Sequence, residues 1–409
     1  MKLEYNLIRN ICAKYGDSVY ILDSNLFNQN YNELLTAFKS FYSKTQIGYS
    51  YKTNYIPKLC SIINKNGGLA EVVSEMEYDL AIKVGVLPEN IIVNGPYKTL
   101  NNLEKYLLNG SLVNIDSGYE INYLKLISNK YPDKKFRLGI RCNFQINSKY
   151  ISRFGIDISS NDFYSFFETL NSIENISLEG IHCHFPDRNL DLYRTRIETM
   201  LSLSKKLFST PPKFIDIGGG YFGKMDDFLA KQFNISIPSY MEYAELIGTI
   251  FNEAFRDINN QDKPTLIIEP GSAIVANTMY FIVKVIDIKN IQNKKNIVVT
   301  SGSKFNLGSF SSTINMPMKI YSQNNEQNPK YYDIAGYTCI ESDYLFTNYF
   351  GSISPGDFLS FSNVGSYSIV FKPPFIMPNF AIIDLDEHQN ISLIKRCETM
   401  EDLFTTYTF

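Results

Sequence analysis

Lys52 follows a short apolar run, Ile47-Gly-Tyr-Ser-Tyr, and an amine at such a place can add to a carbonyl group. On this stretch alone it reads rather as one surface lysine among many. Other stretches could join it. Asp216-Ile-Gly-Gly-Gly-Tyr-Phe-Gly carries three successive glycines, Gly218, Gly219 and Gly220, which let backbone N–H groups approach an anion. No Gly-Lys-Ser/Thr follows, and the spacing is not Gly-x-Gly-x-x-Gly, so the nucleotide-loop and dinucleotide patterns are excluded; a phosphate cradle and a plain turn remain. Glu269-Pro-Gly sets a carboxylate before a rigid turn, where it could pair with a cationic ring nitrogen or merely form the turn. His182-Cys-His184 on a strand puts both imidazoles on one face. A metal would need a third ligand, and the remaining histidine, His388, stands in a different region, so no metal is expected. His184 reads better as a flat ring that stacks on a ligand ring, and His182 as a satisfied core histidine. Cys339, beside Glu341 and Asp343, is a candidate proton donor or a half-buried structural thiol. Tyr367 in Asn363-Val-Gly-Ser-Tyr is either core or a phosphate ligand.

Something must bring these residues together. From about residue 25, short apolar runs alternate with helical stretches, which is the mark of βα units and a parallel sheet. The runs are Gln46–Ser50, Leu69–Val73, Ile91–Asn94, Leu112–Asp116, Arg137–Arg141, Glu179–His184, Phe214–Ile217 and Leu266–Glu269. Eight such runs predict an α/β fold built on a (β/α)8 TIM barrel rather than an open doubly wound sheet. Their ends carry Lys52, Glu71, Asn94, Asp116, Arg141, His184, Gly218–Gly220 and Glu269, where barrel enzymes keep their chemistry. After about residue 275 helical periodicity fades. Runs at Tyr280–Ile288, Asn296–Thr300, Phe358–Ser362 and Ala381–Leu385, joined by polar loops such as Gln323–Lys330, predict a mostly antiparallel β-barrel or sandwich domain. The early strand Ser18–Asp23 is expected to join it. The expected division is a barrel over 25–275 and a β domain from 1–24 and 276–409.

Composition narrows the classes. The 409 residues are 44% hydrophobic and 20% charged, ordinary for a globular chain. The net charge of −3, without a basic cluster interleaved with aromatics, gives a nucleic-acid polymer no electrostatic foothold. The six scattered cysteines form no CxxC pair, which argues against a zinc ribbon or a disulfide scaffold. The N-terminal stretch is broken by charges, and no run approaches the ~18 apolar residues of a membrane span, so a cytoplasmic location is expected.

Taken together, the motifs resemble those of the fold-type III pyridoxal 5'-phosphate (PLP) dependent decarboxylases, the family of diaminopimelate and ornithine decarboxylases. The likeness runs in order through Tyr51-Lys52, Glu71 to Glu77, Arg141, Arg153-Phe-Gly, His182-Cys-His184, Gly218-Gly-Gly, Glu269-Pro-Gly, Cys339 with Glu341-Ser-Asp343, Pro355-Gly-Asp and Gly365-Ser-Tyr367. The resemblance implies a Schiff-base lysine at Lys52, His184 stacked on the pyridine ring, and Glu269 paired with the ring nitrogen. It implies a phosphate held by Gly218, Gly219, Gly220 and Tyr367, and a floor shaped by Glu71, Glu77 and Arg141. It further implies a head-to-tail homodimer with shared sites, in which Cys339 returns a proton after CO2 departs and Glu341 or Asp343 meets the far end of a small-molecule substrate.

The pattern departs from the family at three places. Phe185-Pro186-Asp187 stands where a Gly-Ser that binds phosphate is usual, and Ser272 where an arginine is usual. Arg188 is expected to supply the missing positive charge. Ile340 is inserted between Cys339 and the acid, which alters the pocket that reads the substrate side chain. With the loop Phe371–Phe380, this resembles decarboxylases that tailor larger molecules in antibiotic biosynthesis, such as the module that trims a 3-amino-3-carboxypropyl group in microcin C-type peptide–nucleotide pathways; the chain could then be a module of a longer protein. A free substrate (diaminopimelate, ornithine or lysine), racemisation on the same fold, and a non-catalytic binding protein are the alternatives. A racemase would need a second base opposite Lys52, and the Cys339 motif favours decarboxylation.

Overall fold

The computed structural model describes residues 3–233, 235–308, 313–323, 328–372 and 374–409. They form two compact units, Asn30–Phe222 with Pro238–Ala273, and the N-terminal residues through Gln29 with Gly223–Ile237 and Ile274–Phe409. The segment Gly223–Ile237, expected within the barrel, therefore belongs with the second unit. Its helix Asp227–Gln232 explains why: Phe228 stacks on Phe346 at 6.0 Å, and Gln232 exchanges hydrogen bonds with the Asn315 backbone at 2.9 and 3.0 Å.

The first unit is a closed barrel of eight parallel strands: β1 (Thr45–Ser50), β2 (Leu69–Val72), β3 (Ile91–Val93), β4 (Leu112–Ile115), β5 (Phe136–Asn143), β6 (Ile176–His182), β7 (Phe214–Asp216) and β8 (Thr265–Ile268). Each pairs with its neighbours in sequence, and β8 returns to pair with β1, so no strand edge is left open. The sequence marks the intervening helices. Ser74, Thr99, Asn189 and Ser239 each cap a helix N-terminus, and Ser239 with Glu242 forms a full capping box.

Inside the barrel, Leu69, Ile92, Leu112, Phe214 and Ile267 form one apolar layer drawn from five strands. Glycines complete it for a steric reason. A Cβ on Gly139 or Gly180 would come within 2.8 Å or less of the Phe214 side chain, so those strands must carry no side chain there. Side chains alternate along a strand, so the residue two places on faces the same interior. With Gly48 of β1, whose Cβ would lie 3.4 Å from the Ile92 side chain, each strand has a position at this level, and counting two from each gives Ser50, Glu71, Asn94, Asn114, Arg141, His182, Asp216 and Glu269, all polar and all buried. The polar layer thus lies directly above the apolar one, toward the C-terminal ends of the strands.

The second unit is a nine-stranded sheet among the described residues, mostly antiparallel. As expected, the early strand Ser18–Leu22 joins it, antiparallel to the long strand Met279–Ile291 and parallel to Ala381–Leu385. Helix Tyr5–Tyr15 covers one face through Ile8 and Ile11, which pack with Val19, Ile21, Ile282 and Ile383. Strands Met318–Tyr321, Lys330–Ala335, Tyr344–Gly351 and Ile391–Lys395 were not anticipated, because their apolar runs are short and broken by exposed residues. Within the expected loop Gln323–Lys330, residues 324–327 lie outside the described residues.

The ends of β3 and β4 are locked by one buried ion pair. Lys98 Nζ donates to the carbonyls of Gly95 and Asn114 at 2.8 and 3.0 Å and to Glu120 Oε2 at 3.0 Å, while Glu120 Oε1 accepts the backbone N–H groups of Asp116 and Ser117. Removing one partner of such a pair leaves an uncompensated buried charge. Lys98→Met should therefore lower stability by about 3–5 kcal/mol, read from urea unfolding.

Candidate active site

Lys52 stands on a single 3-10 turn, Tyr51–Thr53, where β1 ends. That turn is tied to the end of β8. The Ser50 N–H donates to the Pro270 carbonyl at 3.3 Å and the Ser50 hydroxyl to the Glu269 carbonyl at 3.2 Å. Gly271 is fixed by the same contact, since a Cβ there would fall 2.0 Å from Thr53 Oγ1. The Lys52 amine pairs with the fully buried Glu71 carboxylate, and its side chain keeps 30% exposure at the barrel mouth. It is thus an oriented, reachable amine rather than a surface lysine.

From Glu71 a hydrogen-bonded chain crosses the barrel. Asn94 Nδ2 donates to Glu71 Oε1 at 3.0 Å and to Glu269 Oε1 at 2.6 Å, and its own carbonyl accepts from Asn114 Nδ2 at 2.8 Å. Ionised carboxylates only accept, so the amide orientation is forced by its neighbours. On the other side His182 Nε2 lies 3.3 Å from Glu269 Oε2. Burial opposes the Glu269 charge, but the charge and hydrogen bond of His182 and the charge of Lys52 outweigh it and hold its carboxyl well below the usual range. Burial and the Glu269 charge push Asp216 the other way, well above the usual range. Two neighbouring buried acids therefore divide the roles. Glu269 is biased toward the anion and Asp216 toward its neutral form.

His184 lies beyond the end of β6, in the loop, and not on the strand with His182. Its Nδ1 accepts the Gly219 N–H at 2.9 Å, which fixes the ring. Desolvation, then the charges of Lys52 and Arg141, drives its pKa well down, so the ring is a neutral imidazole. The two histidines thus take different partners. The group of metal-capable side chains is instead His182, Asp216 and Glu269, whose donor atoms lie within 4.8 Å of one another.

The glycine loop is shaped by its surroundings. Gly218 and Gly220 have φ of +68° and +97°, and a Cβ on Gly219 would sit 2.5 Å from the Glu269 carbonyl. Three glycines are needed, where a plain turn needs one or two. Arg141 pairs with Asp116 at 3.3 Å and lies over the Phe154 ring at 4.8 Å, with Arg153 over the same ring at 4.1 Å. The Arg188 guanidinium lies over Phe222 at 5.0 Å, and its carbonyl accepts the Tyr243 hydroxyl at 2.5 Å. Ser272 opens the one-turn helix Ser272–Val275.

In the β unit, Cys339 and Glu341 are exposed. Asp343, expected beside the substrate, is buried. Its carboxylate accepts from the Ser303 hydroxyl, the Lys304 N–H and the Thr338 hydroxyl at 2.9, 2.8 and 2.6 Å. It anchors its own loop, which leaves Glu341 as the acid of that motif that reaches solvent. Tyr367 takes φ of +56° and stacks on Phe371 at 5.5 Å.

Reading strand ends alone found Lys52, Glu71, Asn94, Arg141 and Glu269, and gave Asn94 no role. It missed Ser50 and Asn114, and it did not give His182 and Asp216 their place beside Glu269. The signal was present, since each lies two residues beyond an apolar or glycine position of the interior layer. Arg196, fully buried beneath the glycine loop, had no such signal.

Glu77, behind Glu71, carries a testable charge. Burial, with the Glu71 charge adding to it, raises its pKa to about 7 against the Val73 N–H and Lys52. The folded chain therefore binds this proton more tightly than the unfolded one, and stability contributed here is lost as pH rises from about 4.5 to about 7. Glu77→Gln keeps an acceptor for Val73 without the charge. Its stability relative to the unmutated chain should rise across that window by on the order of 3 kcal/mol, measured by urea unfolding at several pH values.

The constellation has the parts that PLP needs. These are an accessible amine, a neutral flat imidazole, a buried carboxylate able to face a protonated ring nitrogen, and a loop whose glycines leave room for a phosphate. Comparison with known proteins agrees. The family model "Pyridoxal-dependent decarboxylase, pyridoxal binding domain" matches residues 28–276. The chain is 27% identical over 410 residues to diaminopimelate decarboxylase of Aquifex aeolicus, covering 96% of this chain and 92% of that one. The solved structure of diaminopimelate decarboxylase from M. jannaschii in complex with L-lysine matches with a TM-score of 0.86 at 22% identity, covering 98% and 94% of the two chains. Arginine decarboxylase of Paramecium bursaria Chlorella virus matches with a TM-score of 0.74 at 19% identity, covering 93% and 100%. A lysine, a neutral histidine and an ionised glutamate at the mouth of an eight-stranded barrel, with this match across more than half the chain, make the protein a member of the pyridoxal-dependent decarboxylase family.

Proposed function

We propose that this carboxy-lyase removes the α-carboxyl group of a free diamino acid, with diaminopimelate the first candidate. The observation that carries the decarboxylase reading is the chain Lys52–Glu71–Asn94–Glu269–His182, which holds an amine and an ionised carboxylate across one buried layer. The names of the relatives above support the free substrate over the tethered group expected from the loop at 371–380. One observation favours the tethered group as a second reading: Phe371, Ile376 and Met377 are exposed, an apolar surface that a large substrate could cover. Pro373 of that loop lies outside the described residues.

PLP, when bound, supplies the electron sink for the pair left as CO2 departs. Lys52 would hold it covalently, with Glu71 orienting the amine. Glu269 would keep a proton on the ring nitrogen, and His184, fixed by the Gly219 N–H, would pack against the ring. The Cys339 thiol would return a proton to the substrate's α-carbon, and Glu341 would meet its far end. Tyr367 and the glycines would hold the phosphate. In this reading the chain acts as a homodimer in which Cys339 serves the partner's site, and it works in the cytoplasm. No helix among the described residues is long and apolar enough to cross a membrane.

Release of CO2 from free diamino acids and from tethered amino-acid analogues tests the substrate. The expected result is turnover of a free diamino acid, and turnover of tethered analogues alone would overturn it. Lys52→Ala should abolish turnover and the borohydride-fixable absorbance near about 420 nm while leaving the fold intact. Mixing Lys52→Ala with Cys339→Ala should restore activity in hybrid dimers, up to about a quarter of that of the unmutated protein if protomers pair at random. Unrestored activity would rule out shared sites.

A further inference from the structure

Arg196 lies in the helix Leu190–Leu207 with no exposed surface. Its guanidinium donates to four backbone carbonyls on two different loops. Nη1 reaches Ile217 at 3.2 Å and Gly219 at 2.9 Å, and Nη2 reaches Phe185 at 3.2 Å and Asp187 at 3.3 Å. Its face lies 4.1 Å from the Tyr193 ring, and the Tyr193 hydroxyl donates to the same Gly219 carbonyl at 2.8 Å. No carboxylate lies within ion-pair distance of Arg196 among the described residues. A guanidinium keeps its charge when buried. Four carbonyl dipoles solvate this one, but no anion neutralises it, and an isolated buried charge is costly.

The four carbonyls have a geometric consequence. In a planar trans peptide the C=O and the following N–H point in opposite directions. With the Gly219 and Asp187 carbonyls turned to Arg196, the N–H groups of Gly220 and Arg188 are turned away from it. The two loops meet there, since a Cβ on Gly220 would lie 2.8 Å from the Asp187 carbonyl and 2.9 Å from that of Phe185. These are the loops that carry Asp187, one of the two departures near the expected phosphate position, and the glycine run expected to cradle that phosphate. One buried cation thus holds both loops from below and directs their amides to the opposite side, as in an anion-binding nest.

We propose that Arg196 is the positive charge that replaces the family's missing arginine, and that it acts through these peptides as a positioning residue for the phosphate of PLP. This rests on the reading that the chain binds PLP at Lys52. The cation is not in contact with the phosphate. It fixes the amides that would receive the phosphate and adds a positive field through the peptides it bonds.

The test compares binding of pyridoxal 5'-phosphate and pyridoxal to the cofactor-free protein by absorbance titration, because their ratio isolates the phosphate. Arg196→Gln should reduce the preference for the phosphorylated form at least tenfold while changing pyridoxal affinity less than threefold. Arg196→Lys keeps the charge but cannot span four carbonyls, so its loss should be intermediate and gives a reading if the Gln variant does not fold. Tyr193→Phe removes one bond to the Gly219 carbonyl and should lower the preference about twofold to threefold. Arg188→Ala should leave the ratio within twofold. An unchanged ratio in a folded Arg196 variant overturns the proposal, as does a loss confined to Arg188→Ala. Failure of the unmutated protein to bind either compound would instead refute PLP binding, and with it the reading on which this inference stands.

Discussion

The site depends on Glu269 remaining ionised where water does not reach it. A buried carboxylate ordinarily takes up a proton, and a protonated Glu269 could not hold a protonated ring nitrogen. Its charge survives because His182 and the Asn94 amide bond to it and the charge of Lys52 lies near. Burial and the Glu269 charge push the neighbouring Asp216 the other way, toward its neutral form. The same arrangement places Glu71 against Lys52, so the carboxylate that holds the amine and the carboxylate of Glu269 are both bonded by the amide of Asn94.

That arrangement rests on packing one level below. Phe214 fills the barrel interior only because Gly139 and Gly180 give up their side chains to it, and Leu69, Ile92, Leu112 and Ile267 complete the layer. Close-packed apolar side chains hold each strand in register. The residue two places on in each strand is then carried to a common height. The chemistry therefore inherits its precision from steric fit rather than from the polar groups themselves, which could satisfy one another in several arrangements. Family membership, matched over residues 28–276, and this layer account for the same stretch of chain from different directions.

Local motifs were legible in the sequence because each has its own steric or chemical signature. A lysine closing an apolar run, three glycines in a row and a Glu-Pro-Gly turn are each weak alone, but their order along the chain points to Lys52, the glycine loop and Glu269. The barrel was legible from the alternation of apolar runs with helices. The early strand Ser18–Leu22 was recognised as part of the β unit because Val19–Leu22 is an unbroken β-branched, aromatic and apolar run. The weaker strands of that unit, such as Tyr344–Gly351, were not, because exposed and buried residues mix along them.

What the sequence by itself determined was therefore the set of local geometries: which residues turn, which extend, and which side chains could react. Pairings between residues far apart in the chain were decided by tertiary structure. Asn94 becomes a bridge only when β2 pairs beside it and closure of the barrel brings the end of β8 within reach, and His182 partners Glu269 across 87 positions. Asp343, an acid in a promising motif, turns out to hold its own loop. Arg196 looks in the sequence like any arginine on an amphipathic helix. Only closure of the barrel puts it beneath two loops and away from water, because burial and counter-charge depend on every strand at once and on no local stretch of chain.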